Sequence, residues 1–84
     1  MNRDLLLSTP TRTAASRTMQ VIDGVQDYQP HEQIVALAAT FLLLCERWNT
    51  DPRDALRITD RIINHAEGKR PEFAAVRDYM EGEL

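Results

Sequence analysis

Residues 34 to 45 read IVALAATFLLLC, a run of twelve in which Thr40 is the only polar side chain. A helix apolar nearly all round is stable only when protein or lipid surrounds it. Lipid is a poor match by length. Twelve helical residues rise about 18 Å, whereas a hydrocarbon core is about 30 Å thick. Protein must do the covering, and the whole chain has 84 residues. That is one domain near the small end of what folds alone, burying about 60–65% of its unfolded surface.

On a wheel of 100° per residue, Ile34, Leu37, Ala38, Phe41, Leu44, Cys45 and Trp48 form one stripe. It suits packing against a second helix, so Leu37, Phe41, Leu44 and Trp48 are expected in the intrachain core. Val35 and Leu42 widen the stripe, and Ala36, Ala39 and Leu43 lie on the far side. The other helices of so short a chain cover about two thirds of the circumference. Left in water, the far side would expose roughly 150–200 Å², equivalent to about 4–5 kcal/mol. A two-fold dimer buries the same patch twice. Val35, Ala36, Ala39, Leu42 and Leu43 are therefore the expected self-interface of a homodimer. The competing arrangement is a monomer whose N-terminal helix folds back over the far face.

Helix boundaries follow from the prolines and caps. Pro30 suits a first helical position and Glu32 the positive helix end, opening a helix over about 30–49. In NTDPRD, Asp51 caps, Pro52 restarts and Asp54 enters the first turn of a helix over about 52–67, with Gly68 as its C-cap. Its buried stripe is Ala55, Ile58, Thr59, Ile62 and Ala66, flanked by Leu56 and Ile63, and His65 sits in its last turn. Pro71 starts a further helix, about 71–82, with Phe73, Val76 and Met80 on one face. Ser16 is a candidate N-cap for a shorter helix, about 18–27, presenting Met19, Ile22 and Val25 and weakened by Gly24. Residues 1–17 read as a flexible arm in which Leu5–Leu7 is a sticky anchor. No stretch alternates with a period of two. The expected class is all-α: one helical domain over 18–84, a small bundle built on a two-long-helix hairpin with short flanking helices and completed by dimerisation.

Composition narrows function mainly by exclusion. The formal net charge is −3 and the pI about 5.2, which gives no general attraction to nucleic acid or anionic membrane. The one cysteine, Cys45, sits among apolar neighbours as a buried thiol, which fits a reducing, cytoplasmic setting. The leading residues lack the 7–15 apolar run of a signal peptide. His31 and His65 have no ligand-spaced partners, and no glycine-rich phosphate motif occurs. Ser8 and Ser16 lie where no preorganised base is expected. Neither a metal, a cofactor nor catalytic residues are expected, and the chain reads as a non-enzyme.

One further pattern suggests a second function. LLLCERWNTDPRDALRITDRI fits a helix-turn-helix in which Arg53, Arg57 and Arg61 recur every fourth residue on the outward face of the second helix. Those arginines could reach phosphates or guanine edges. Asp54 and Asp60 share that face, and Asp54–Arg57 and Arg57–Asp60 are spaced as simple surface pairs. For a protein partner, the same arginine face and the acidic Asp78, Glu81 and Glu83 are the candidates.

The run FLLLCERWNTDPRDALRITDRIINHAEGKRPEF, within residues 30 to 80, resembles in overall texture small helical accessory proteins encoded by bacteriophages and prophages. That resemblance implies a stoichiometric accessory or regulatory protein that binds a host or phage protein. It implies no catalytic residues. The reading as a whole is a homodimeric protein-binding module in the cytoplasm, with an unidentified protein partner. The alternative is a helix-turn-helix-like DNA-binding regulator.

Overall fold

A computed structural model describes the backbone of residues 1–65 and 68–84 and the side chains of 1–64 and 70–84. The class is all-α. Five helices follow in order: α1 (Arg3–Leu7), α2 (Thr11–Val25), α3 (Pro30–Arg47), α4 (Pro52–Ile63) and α5 (Pro71–Glu83). Between α4 and α5, Asn64–His65 pairs antiparallel with Gly68–Lys69, Asn64 opposite Lys69 and His65 opposite Gly68.

Local chemistry sets the helix starts. Pro30, Pro52 and Pro71 open α3, α4 and α5, where a missing N–H leaves no intrahelical bond unmade. Asp51 caps α4 by accepting from the Arg53 N–H at 2.9 Å. Glu32 does more than favour the helix dipole. Its carboxylate accepts from the Gln29 N–H at 2.9 Å, completing a capping box. α3 stops in a Schellman turn: the Thr50 N–H donates to Cys45 O at 2.8 Å and the Asn49 N–H to Glu46 O at 3.3 Å. Asn49 occupies the left-handed position with φ 49°.

The N-terminal boundary departs from expectation. α2 begins at Thr11 with Pro10 as N-cap, so Ser16 lies inside a helix and caps nothing. Much of the segment expected as an arm is thus helix, α1 and the first half of α2. The reason is packing, since Ala15 is buried and Ala14 half-buried against α5, and such small side chains let the two helices approach closely. The far end of α4 also differs. The helix ends at Ile63, and Gly68 belongs to the short β pair instead of capping it. Arg70 serves its last carbonyls, donating from Nε to Arg61 O at 3.1 Å and from its backbone N–H to Ile63 O at 3.4 Å. Ala66 and Glu67, expected in the helix, lie outside the described residues.

The core lies between α2 and α5, where Ala15, Ile22, Phe73 and Val76 are buried with Met19, Ile62 and Tyr79 packed around them. α4 adds Ala55 and Ile58. The Tyr79 hydroxyl donates to Asp23 Oδ1, tying α5 to α2 at the rim. The molecule is a slab of 34 × 30 × 17 Å. Its Cα radius of gyration is 13.3 Å, against about 12 Å for a compact domain of this length.

Candidate self-association surface

α3 is the most apolar helix of the chain, yet Cys45 is its only buried residue. It meets the rest of the fold chiefly at its ends. Near the N-terminus, Gln33 Nε2 donates to Val25 O at 3.1 Å. Near the C-terminus, Phe41 and Cys45 approach Ala55 and Thr59 of α4 across a small apolar cleft. The span between stands clear.

This corrects the expected intrachain core. Leu44 is 52% exposed and Trp48 50%, Leu37 is also exposed, and Phe41 is half-buried. The stripe does not lie along the second long helix because α4 is shorter than α3 and its own apolar face is engaged elsewhere. Ile58 and Ile62 turn toward α2 and α5, leaving α4 in contact with only one end of α3. Leu56, expected at the flank of that face, is exposed.

The residues expected at a self-interface are found in solvent. Val35 is 65% exposed and Leu43 62%; Leu42 and Ala39 are exposed and Ala36 is half-buried. The N-terminal helix does not fold back to cover them, because α2 packs on α5. Ile34, Leu37, Leu44 and Trp48 join this surface, so apolar side chains occupy most of the circumference of α3. The polar members are Thr40, whose hydroxyl donates to Ala36 O at 2.7 Å, and Glu46 and Arg47. The Arg47 guanidinium sits 4.4 Å from the centre of the Trp48 ring, a cation–π contact that holds the indole at the surface.

The area involved is large. A compact monomer of 9.6 kDa exposes about 5,100 Å², and this chain exposes 6473 Å², an excess of about 1,400 Å². Two copies that each covered that excess would bury about 2,800 Å² in total, within the range of obligate homodimers.

The arginine face has a different character. Arg53, Arg57 and Arg61 are exposed on α4. Arg3 of α1 grips Asp54 through Nε and, at 3.0 Å, through Nη2, and Arg57 Nη2 stands 3.8 Å from the same carboxylate. The Arg3 hydrogen bond holds the Asp54 carboxyl below its usual range. Arg3, Arg57 and Arg61 thus surround one shallow depression in which Asp54 is the only acidic lining residue among those described. The Arg57–Asp60 pair does not form among the described contacts, and Asp60 accepts from Asn64 instead. Nothing in the helical spacing of Arg53, Arg57 and Arg61 reveals Arg3, which comes from a distant part of the chain. Asp78, Glu81 and Glu83 are exposed on α5.

Cys45 is buried and unpaired, as its apolar neighbours suggest. Among the described residues, no group of histidine, cysteine and carboxylate side chains could hold a metal ion. Among them too, no helix is long and apolar enough to cross a membrane. Comparison of the chain with family models, curated proteins and solved structures gave no match.

Proposed function

We propose that this protein is a non-enzymatic protein–protein interaction module that forms a homodimer through α3. The observation that carries the reading is the helix itself: it is apolar nearly all round, and its own chain leaves it uncovered. The exposed excess of about 1,400 Å² per chain, taken over the whole surface, is of the size an obligate dimer buries. The resemblance to phage-encoded accessory proteins supports a regulatory role exerted by stoichiometric binding of a host or phage protein. Once the dimer forms, the arginine face of α4 and the acidic end of α5 remain as surfaces for that partner.

Size-exclusion chromatography with light scattering tests the dimer. The expected mass at micromolar concentration is twice the 9.6 kDa of the chain. Leu43→Glu should give a monomer with an unchanged helical circular-dichroism spectrum, because Leu43 is already exposed in the single chain. A monomeric mass for the unaltered protein would overturn the proposal.

A helix-turn-helix DNA-binding role is the second reading. It is favoured by Arg3 joining Arg57 and Arg61 around one depression. Retardation of a random DNA duplex at low salt, lost as salt rises, is its expected signature. An unshifted duplex at low salt removes it.

A further inference from the structure

We propose that a second apolar site, away from the exposed span of α3, binds a small amphipathic carboxylate with the chemistry of a medium-chain fatty acid. It is a half-open cavity of about 390 Å³ between α2, α4 and α5, with Leu6 of α1 at its edge. Ile58, Ile62, Phe73, Val76 and Met80 supply the walls, and three of these, Ile58, Phe73 and Val76, are buried core residues that make a preformed floor. The volume falls within the range of natural ligand pockets, about 300–1,000 Å³. At about 30 Å³ per water-sized unit it holds roughly a dozen heavy atoms, the size of decanoate.

The polar lining specifies the head group. Thr9, Thr18 and Thr59 border the cavity, but each hydroxyl already donates to a backbone carbonyl of its own chain, Leu5, Ala14 and Ala55 respectively. Among the described residues, Arg77 is the only charged one of the lining and no carboxylate there opposes an incoming anion. Its Nη2 donates to Asn64 Oδ1 at 3.3 Å, while Nη1 is buried with no hydrogen-bond partner among the described residues. Native structures rarely leave such a donor unsatisfied. A guanidinium stays charged at any working pH and offers forked donors that match a carboxylate. The hydrocarbon walls select the tail and Arg77 selects the head.

Calorimetric titration of the full chain with decanoate, well below its micelle concentration, tests the site. Saturable binding of one decanoate per chain is expected, with decylammonium at least about tenfold weaker because its charge faces Arg77. Arg77→Met should weaken decanoate by about tenfold or more, Arg77→Lys should recover part of the loss, and Ala14→Leu should fill the cavity and block both ligands. If Arg77→Met fails to fold, the comparison of the two head groups on the unaltered chain decides. Absence of decanoate binding at millimolar concentration overturns the proposal, as does equal binding of the two head groups. So does a cavity whose Ile62 and Met80 methyl resonances respond to protein concentration but not to decanoate, since a second copy would then fill it.

Discussion

Asn49 carries the most constrained backbone position of the described chain, the left-handed residue that ends α3. Asparagine tolerates that conformation because its short polar side chain does not crowd the backbone as a β-branched one does. Asn49→Val should therefore lower stability by about 1–2 kcal/mol, and Asn49→Gly should be neutral or slightly stabilising, both read from urea midpoints. Tyr79 offers a pH handle. Its hydroxyl donates to the Asp23 carboxylate, and that bond, with burial and the Asp23 charge, pushes its pKa up to about 12. The raised value means that the contribution is complete below the unfolded pKa near 10 and is lost as pH rises toward 12. Thermal melts between pH 9 and 12 should fall less steeply for Tyr79→Phe than for the unaltered protein. The Asp54–Arg3 pair has the opposite sense. A lowered carboxylate pKa stabilises above the ordinary range near 4 and loses its effect as pH falls through the folded value. These residues differ in legibility. Asp51, Pro52 and the break at Asn49 can be read locally, because caps and turns act over four or five residues. Tyr79–Asp23 and Arg3–Asp54 cannot, because each joins positions more than fifty residues apart.

Among the elements, α2 and α3 contrast most. α2 has modest apolar content, yet Ala15, Ile22 and Val25 are buried along it. α3 has far more and buries Cys45 alone. Periodicity indicated which residues of each helix share a face, and the Ile22 and Val25 face of α2 and the Phe73 and Val76 face of α5 are indeed internal. Partner choice was not encoded in the wheel, because several helices presented faces of similar width and only joint packing ranks the pairings. Gly24 in α2 is open to a simple test. A Cβ built there meets nothing within 4 Å, so Gly24→Ala should raise stability by about 0.5–1 kcal/mol through helix propensity alone. An increase in thermal midpoint of a few degrees is expected. No such gain would mean that the C-terminal part of α2 is not helical in the folded protein.

For the whole molecule, a slab 17 Å thick built from helices about 10–12 Å across holds at most two helical layers, so the core of one chain is thin. Eight described residues are buried and none of them is fully sequestered, a small core for a chain with 43% hydrophobic residues. If association through α3 completes that core, folding and dimerisation are linked by mass action. The thermal midpoint should then rise with protein concentration between about 1 and 100 μM, while that of Leu43→Glu should be lower and independent of concentration. A concentration-independent midpoint for the unaltered chain would place all of its stability within a single copy.

The sequence by itself determined the helical class, the proline-led starts of α3, α4 and α5 and the apolar excess of residues 34 to 45. Each of these rests on local propensity or on composition. Only the tertiary structure decided that α2 starts at Thr11, that α4 turns its apolar face to α2 and α5, and that Leu37, Leu44 and Trp48 stand outside the core with Val35 and Leu43. The physical reason is that burial is a property of pairs of surfaces. A helix carries its apolar stripe in its own residues, but which neighbour meets that stripe depends on every other face competing for the same contact.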